Sequence, residues 1–384
     1  NVVVVPLMSL VVPIGFLAIF TGWGPVAWLT GWLLSMTRVI VEWHAAWEPW
    51  WRIPDPPFWL AASFTLSLIL LGLANRSHQR WRWLAGIAVS LLLLVLIVHP
   101  FPPRVNAGEL EVTSIDVGQG DSAFLSLPAG KLMVLDGGGA PGFGKRSGGL
   151  DPGEEVVSPY LWSRSVRRLD VVALSHAHED HIGGLNAIVK NFKPAELWMG
   201  PAPDTPSWRQ LRDTAQRQGI RIRRLCAGER FTYGGAIVEV LAPSEDSSPS
   251  TSPKDLDSMV FRVSFGNRSF LLTGDLDDRV EYDLVEAGAI RPADVLKVAH
   301  HGSRRSTSEE FLAAVHPAFA IISVGADNTY GHPHPELLRR LNDARATTLR
   351  TDEWGFVSFV TDGRRLGLTT WRSLGPQRGP LQPF

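Results

Sequence analysis

The pattern of hydrophobic and polar positions divides the chain into two unlike parts near residue 100. Long apolar runs dominate the first part, whereas short apolar runs separated by Gly, Pro and charged residues fill the second. Runs of about 20 apolar residues are long enough to cross a ~30 Å hydrocarbon layer as helices, and runs of about five residues are typical of strands. We therefore expect a membrane region over 1–104 and a separate domain over 105–384.

Four helices are predicted in the membrane region. Three are apolar enough to span a bilayer, at about 7–22, 56–75 and 83–100, and prolines are expected to break the start of the first. The fourth, at about 26–48, places Trp and Leu at helical spacing, which is typical of a helix that lies in the membrane interface. The alternatives are a surface helix for the fourth and a buried helical hairpin for the last two spans.

Charge is distributed as unevenly as hydrophobicity. Residues 1–100 carry eight of the 75 charged residues, and the link at 75–82 holds three arginines and no acid. This excess of arginine predicts that the link is cytoplasmic and that everything after residue 100 lies outside the cytoplasm. A net charge of −1 excludes a globally basic nucleic-acid-binding protein but not a local basic patch. The single cysteine, Cys226, excludes an intramolecular disulfide framework and a cysteine-rich zinc finger.

Beyond residue 104, strand-like and helix-like segments alternate, which indicates an α/β fold. Strands are predicted at 112–116, 122–127, 131–135, 169–175, 197–199, 221–225, 237–241, 259–265, 269–273, 294–299, 319–324 and 356–360, and helices from 183 and at 207–218, 278–287, 308–315 and 335–342. The Gly-rich loop at 137–149 lacks the GKS/T ending of a nucleotide-binding loop, so we reject that function for it.

The strongest chemical signal is SHAHEDHIGG, which follows a predicted strand. Within six residues it holds three imidazoles and a carboxylate, from His176, His178, Asp180 and His181. A loop that leaves a strand can turn all four toward one place, and this mixture of donors suits Zn²⁺ or Mn²⁺. So many donors predict a pair of metal ions, whereas a histidine-rich polar surface loop is the alternative.

The HAHEDH segment resembles the HxHxDH signature of the metallo-β-lactamase fold family. Three further segments resemble the other site segments of that family in the same order: VLDGG with Asp136, LTGD with Asp275, and VLKVAHHGS with His300 and His301. The resemblance implies an α/β fold of the αβ/βα sandwich type, with a metal site at one edge. The apolar runs place transmembrane helices before this sandwich.

A narrower resemblance covers the whole chain. IDVGQGD, HHGS and GADNTYGHP are similar to the C-terminal domain of ComEC-type DNA internalisation (competence) channel proteins, and NVVVVPL is similar to the end of their polytopic region. This implies a multi-pass protein of the bacterial inner membrane, with the hydrolase domain on the periplasmic side. The implied partners are DNA, the lipid bilayer, the remaining N-terminal channel segment and other competence proteins.

The resemblance implies two divalent ions, Mn²⁺ or Zn²⁺. The implied ligands are His176, His178 and Asp275 for one ion, and Asp180, His181, Asp275 and His300 for the other. Many members of the family carry one more histidine ligand before the bridging aspartate, but residues 182–274 contain none. The first ion is therefore expected to have three protein ligands at most, which predicts a weaker site or Mn²⁺ in place of Zn²⁺.

Other residues receive implied roles around these ligands. The implied catalytic residues are Asp180, His301 as a proton donor, and Ser303 as a phosphate contact. Whether His300 or His301 is the ligand stays open, because adjacent residues of an extended segment point opposite ways. Asp136 is implied to orient a ligand histidine from behind, and Asp121 either does the same or bonds the backbone of its own turn.

A further group of charged and imidazole side chains flanks the proposed site. Each cation is expected either to steer phosphate or to be a solvated loop charge, and each histidine either to reach the site mouth or to shape a turn. They are Lys145, Arg146, Arg304, Arg305, His332 and His334.

Together with the topology predicted from the arginines, the resemblance implies a metal-dependent hydrolase that acts as a DNA phosphodiesterase and degrades the strand that is not transported in natural transformation. One alternative is a membrane-anchored hydrolase of a cell-wall phosphodiester or lactone. A second is a non-catalytic vestibule that guides DNA. The full ligand set argues against the vestibule, and the absent histidine keeps it open.

Overall fold

A computed structural model describes residues 3–46, 52–74, 79–139, 151–247, 252–326 and 328–372. Contacts divide the chain into two compact units, Asn1–Arg52 and Ile53–Phe384. The third and fourth helices therefore group with the two sheets. The predicted boundary at 104/105, between a membrane region and a separate domain, stays a prediction.

Four helices are described before residue 100: α1 Val4–Thr21, α2 Gly24–Ala46, α3 Phe58–Ala74 and α4 Gln79–Val98. By length and apolar composition α1 and α4 are candidate membrane spans, whereas α3 is a shorter apolar helix. The sequence predicts that prolines break the start of the first helix. The structure differs, since α1 begins at Val4 and contains Pro13. In the first unit, Gly22 ends α1 with a left-handed φ of 63°, and its N–H donates to the Ala18 carbonyl. The interfacial position of α2 stays a prediction.

The rest of the second unit is built from 15 described strands and eight described helices. The strands are β1 Leu110–Ser114, β2 Ala123–Ser126, β3 Leu132–Leu135, β4 Val171–Leu174, β5 Glu196–Met199, β6 Arg221–Arg224, β7 Arg230–Tyr233, β8 Ala236–Ala242, β9 Val260–Phe265, β10 Arg268–Leu272, β11 Val295–Lys297, β12 Phe319–Ile322, β13 Thr347–Arg350, β14 Val357–Thr361 and β15 Leu366–Thr370. The helices are α5 Ser158–Ser163, α6 Glu179–Ile182, α7 Leu185–Phe192, α8 Pro206–Arg217, α9 Asp278–Glu286, α10 Glu309–Val315, α11 Pro335–Asp343 and α12 Thr351–Trp354.

The strands form two sheets that pack face to face. The first has the order β15-β14-β1-β2-β3-β4-β5-β6 and the second β13-β12-β11-β10-β9-β8-β7. Side chains alternate across β4: Val171 and Ala173 face the core between the sheets, whereas Val172 and Leu174 pack with α7 and α8 on the outside. In the second sheet, Leu296 likewise packs with α10 and α11. These four layers confirm the predicted αβ/βα sandwich.

Parallel pairing places the candidate residues at one edge. β3, β4 and β5 are parallel neighbours in the first sheet, as are β10, β11 and β12 in the second. The segments that follow these strands therefore emerge at the same edge of their sheets. Those segments carry Asp136, HAHEDH, Asp275 and HHGS.

Hydrogen bonds attach the fourth helix to the sandwich. The Arg167 guanidinium donates to the Val98 carbonyl at the end of α4, over 2.5 Å. The Arg104 N–H donates to the Arg164 carbonyl over 2.8 Å just after α5. One bond holds the end of α4 and the other holds the chain beyond it, and both lead to the segment after α5, so α4 is attached to the sandwich.

Candidate metal centre

The segment after β4 turns at once into the short helix α6, and this turn requires glycine behind it. A Cβ on Gly184 would lie 2.2 Å from the Gly137 carbonyl oxygen and 2.5 Å from the Gly153 nitrogen. Only glycine leaves room for the loops after β3 and β4 to approach this closely. The close approach holds the HAHEDH side chains against the loop that carries Asp136.

One group of possible ligand atoms comes from His176, His178, Asp255 and Asp275, whose donor atoms all lie within 4.8 Å of one another. We call this group the first cluster. The His176 Nε2 and His178 Nδ1 atoms are 2.8 Å apart, and the His178 Nδ1 is 3.1 Å from a carboxylate oxygen of Asp255. Asp255 was not among the sequence-predicted ligands, and it brings a fourth donor where three were expected at most.

A second cluster consists of Asp180, His181, Asp275 and His301, again with donor atoms within 4.8 Å. The His301 Nε2 lies 3.2 Å from an Asp180 oxygen, and the His181 Nε2 lies 3.2 Å from an Asp275 oxygen. Asp275 contributes to both clusters, so it stands where a bridging carboxylate would.

The donor set fits divalent ions. Among the described residues, the buried His181 Nε2, Asp275 Oδ1 and Asp255 Oδ1 atoms make no well-aligned hydrogen bond, although His181 Nε2 and Asp275 Oδ1 face each other over 3.2 Å. Buried polar atoms are normally paired, and an unpaired one is costly. These atoms converge on the clusters from different segments, and a cation would pair all of them at once.

The HHGS segment is a tight turn rather than the extended segment assumed from the sequence. His300 and His301 both have a left-handed φ, of 51° and 52°. The turn sends the His301 side chain inward, where it is 2% exposed, and leaves that of His300 34% exposed. Such backbone strain is concentrated at functional sites. The structure therefore brings His301 into the second cluster and leaves His300 beside the first cluster, with its Nε2 4.0 Å from Asp275.

In His181 and His301, the ring nitrogen that points away from the second cluster contacts a buried oxygen atom. The His181 Nδ1 lies 2.9 Å from an Asp136 oxygen, and the His301 Nδ1 lies 3.0 Å from the Ser323 carbonyl oxygen. Asp136 also accepts the N–H and hydroxyl of Ser175, each over 2.7 Å. With Nδ1 protonated, the Nε2 lone pairs of both histidines face the second cluster, as metal ligands require.

Asp121 lies directly behind the second cluster. Its carboxylate pairs with the ammonium of Lys297, and both side chains are buried. Its other oxygen is 3.6 Å from the His301 Nδ1. The backbone of Asp121 also bonds the site, because its N–H donates to the Asp180 carbonyl. Lys297 was not predicted from the sequence, although a lysine inside the apolar run of VLKVAHHGS could have indicated a buried charge beside the site.

Burial and neighbouring charges shift the proton affinities of these groups in opposite directions. Burial holds the pKa of His176 well below its usual value, so its imidazole is neutral. Burial also lowers the pKa of His181, but the carboxylates of Asp275 and Asp136 outweigh it and hold that pKa well above the usual value. Burial raises the pKa of Asp275, yet the imidazoles of His181 and His301 outweigh it and keep the carboxylate ionised.

The remaining predicted residues lie around this centre. Ser303 follows the HHG turn, and its hydroxyl accepts the Arg305 N–H over 3.4 Å. His334 shapes a turn, since its Nδ1 accepts the Glu336 N–H at the start of α11. Burial and the nearby His300 lower the pKa of His332 to about 4, so it is neutral at the site mouth.

The four flanking cations divide into two groups. Arg304 and Arg305 are exposed and pair with Glu336 and Asp278. Lys145 and Arg146 lie outside the described residues.

Comparison with known proteins assigns the chain to a family. The model of the metallo-beta-lactamase superfamily matches residues 115–325. ComE operon protein 3 of Bacillus subtilis is 31% identical over 80% of this chain and 39% of its own length. Competence protein ComA of Neisseria gonorrhoeae is 30% identical over 94% of this chain and 47% of its own length. The chain thus spans less than half the length of these relatives.

A solved structure with a similar fold is the metallo-beta-lactamase fold protein YhfI from Bacillus subtilis. It is 13% identical with a TM-score of 0.40, over 62% of this chain and 95% of that one. The competence relatives agree with the predicted likeness to ComEC-type proteins, and together with the two long apolar helices they indicate membrane association.

The superfamily match and the histidine–aspartate clusters indicate a metal-dependent hydrolase that binds divalent metal. The match covers more than half of the sequence and includes the segments that supply both clusters. The chain belongs to the metallo-β-lactamase superfamily.

Proposed function

We propose that this chain is the C-terminal part of a DNA uptake channel of the bacterial inner membrane. Its sandwich acts as a two-metal phosphodiesterase that degrades the DNA strand left outside. The observation that carries the proposal is the pair of clusters that share Asp275. Two adjacent cation sites joined by one carboxylate suit the attacking and leaving oxygens of an in-line phosphoryl displacement. The competence relatives favour DNA as the phosphodiester.

In this proposal the first cluster holds one ion and the second cluster holds the other. His301 rather than His300 is the histidine ligand of the second ion, because its Nε2 faces Asp180 and Asp275. Divalent ions bound there supply Lewis acidity toward phosphate oxygens and a nucleophilic water at neutral pH. Asp136 and the Ser323 carbonyl hold the protons of the outer ring nitrogens, which keeps the inner lone pairs aimed at the clusters.

His300 is placed to serve the substrate. Its ring is one-third exposed, it lies beside both Asp255 and Asp275, and its neighbour His332 is neutral. In this position the imidazole can donate a proton to the leaving oxygen of a bound phosphodiester. This exchanges the roles that the sequence resemblance implied for His300 and His301. Ser303, half-buried in the same turn, is the proposed phosphate contact.

We also propose where the sandwich acts and what it contacts. Arg80 and Arg82 at the start of α4 favour a cytoplasmic start of that helix. The attached sandwich then lies on the periplasmic side, where a non-transported strand would be exposed. The lipid bilayer, the remaining channel segment and other competence proteins are the proposed partners.

The substrate class is tested with the purified full chain in detergent and added Mn²⁺ or Zn²⁺. Single- and double-stranded DNA, a glycerol-phosphate polymer of the cell-wall type and a lactone are offered separately and in competition. We expect DNA to be hydrolysed and the other two to be poor substrates. Preferred hydrolysis of the polymer or the lactone would identify a membrane-anchored hydrolase unrelated to DNA. DNA binding without hydrolysis would identify a guiding vestibule.

A further inference from the structure

We propose that Asp255 is the fourth protein ligand of the first metal site, beside His176, His178 and Asp275. The assignment rests on the metal binding of the proposed function and adds to it a preference of this site for Mn²⁺ over Zn²⁺. The sequence signal is the absence of any histidine over 182–274. The structure brings a carboxylate from the same stretch to the side chains of His176 and His178.

The position of the Asp255 carboxylate is that of a ligand rather than of a surface acid. Its Oδ1 atom lies 3.1 Å from the His178 Nδ1 and 3.9 Å from the His176 Nε2. This oxygen is buried and has no hydrogen-bond partner among the described residues. A buried carboxylate oxygen beside two imidazole nitrogens needs a positive charge to pair it, and a cation that binds all three atoms supplies that charge.

The segment that carries Asp255 is fastened to the strand ends that carry the other ligands. The Met259 N–H donates to the Ser175 carbonyl over 2.9 Å, and the Asp275 N–H donates to the Ser258 hydroxyl over 3.2 Å. Asp255 sits three residues before Ser258, in the short 3₁₀ turn Asp255–Asp257. Its carboxylate is therefore held in register with ligands that come from both sheets.

The same segment sets the orientation of His178. The His178 Nε2 lies 3.2 Å from the Pro253 carbonyl oxygen, which can only accept a hydrogen bond, so the ring proton belongs on Nε2. The Nδ1 lone pair consequently faces Asp255 and the rest of the first cluster. One segment thus supplies a ligand and positions another, which is how resident metal sites are built.

His300 is the rival for the fourth position, and the distances favour Asp255. The His300 Nδ1 is 3.6 Å from the second oxygen of Asp255, and its Nε2 is 4.0 Å from Asp275. His300 therefore lies farther from the other ligand atoms of the first cluster than the Asp255 carboxylate does. With two carboxylates and two imidazoles, the first site has more oxygen donors than a three-histidine site. Oxygen donors favour Mn²⁺ relative to the softer Zn²⁺.

The test counts bound ions instead of activity. Full chain in detergent is stripped of metal and dialysed against stepped free Mn²⁺ or Zn²⁺. Bound metal per chain is measured by mass spectrometry, and bound Mn²⁺ also by electron paramagnetic resonance. The variants are Asp255→Ala, Asp255→His, His300→Ala and the matched control Asp246→Ala, an exposed acid of the same loop. Far-UV circular dichroism checks the fold of each variant.

We expect two Mn²⁺ per chain for wild type, D246A and H300A. D255A should lose the first ion, with affinity at that site lowered at least about 10-fold. D255H should bind two Zn²⁺ and lose the preference for Mn²⁺, which also shows that the variant folds. Unchanged affinities in D255A, or loss of the ion in H300A alone, would overturn the assignment. A wild-type chain that binds neither ion would contradict the proposed function itself and the assignment with it.

Discussion

Lys297 carries a positive charge into the protein interior, directly behind the second cluster. Its side chain is 7% exposed, and its ammonium pairs with Asp121, whose side chain is 4% exposed. The same ammonium donates to the Val298 carbonyl over 3.3 Å. Asp121 in turn lies near the imidazoles of His181 and His301. Lys297 thus balances a carboxylate that would otherwise add to the negative charge of the site.

Removing one member of a buried pair leaves the other charge uncompensated. Lys297→Met should therefore lower the free energy of unfolding of the metal-free chain by about 3–5 kcal/mol. Urea unfolding of the full chain in detergent, followed by tryptophan fluorescence, measures this.

Lys131→Met is the matched control for that measurement. It removes an ion pair with Asp170 whose lysine is 49% exposed, and such a pair contributes about 0–1 kcal/mol. If the free energy of unfolding fell by the same small amount in the two variants, the buried pair would not be needed for stability.

The turn that follows the HHGS segment is held between two helices of the second outer layer. Glu281 of α9 is buried, and its carboxylate accepts the backbone N–H groups of Thr307 and Ser308 at the start of α10. From α11, the Arg340 guanidinium donates to the carbonyls of Arg304 and Ser306, each over 2.9 Å. The position of the HHGS turn therefore depends on packing between elements that are distant in sequence.

Burial raises the pKa of Glu281 to about 7, against the two N–H bonds, which lower it. Because the folded pKa lies above the unfolded value of 4.5, the native state holds the extra proton between these values. The free energy of unfolding should accordingly fall as pH rises from about 4.5 to about 7, by up to about 3 kcal/mol from this residue.

The Glu281→Gln variant isolates this contribution. The stability of wild type minus that of E281Q should decrease by up to about 3 kcal/mol between pH 4.5 and 8, while titration of the metal-site groups cancels in the difference. Denaturation curves at several pH values give the result. Parallel curves for the two proteins would mean that Glu281 titrates as it does in the unfolded chain.

Sequence pattern located most strands of the sandwich, including the edge strand β6, and missed the other three strands at sheet edges. The described strands that were not predicted are β7, β13 and β15, and each lies at an edge of its sheet. Their sequences, RFTY, TTLR and LGLTT, contain few consecutive apolar residues, since an edge strand has one unpaired side. Their pairing partners decide their structure, and sequence periodicity does not contain that information.

The candidate site likewise contains residues that the sequence predicts and residues whose roles only the fold decides. His176, His178, Asp180 and His181 are predictable because one short segment presents them all. Asp255 and Lys297 are not, because their roles depend on which strand ends meet at the edge of the sandwich. The inward turn of His301 depends on two consecutive left-handed residues, a conformation that sequence pattern does not predict.

At the scale of the whole molecule, the chain joins apolar helices to a charged sandwich, and their relation to a membrane is testable. Alkaline phosphatase, which is active only outside the cytoplasm, is fused after residue 384. A second fusion is made directly after Arg82, so that it keeps all three arginines of the link at 75–82. We expect activity from the first fusion and none from the second, because the arginines hold the link in the cytoplasm. The reverse pattern would place the sandwich in the cytoplasm and remove it from the non-transported strand.

Two-metal cleavage of DNA is tested most directly by the initial rate of phosphodiester cleavage by the purified full chain with Mn²⁺, compared with the Asp275→Ala and Asp246→Ala variants. Asp275 contributes to both clusters, whereas Asp246 is an exposed acid outside them. Two-metal catalysis predicts metal-dependent cleavage by wild type and D246A. Loss of the bridging carboxylate should lower the rate of D275A at least about 1,000-fold. Cleavage by D275A at the wild-type rate, or cleavage that a chelator does not stop, would contradict it.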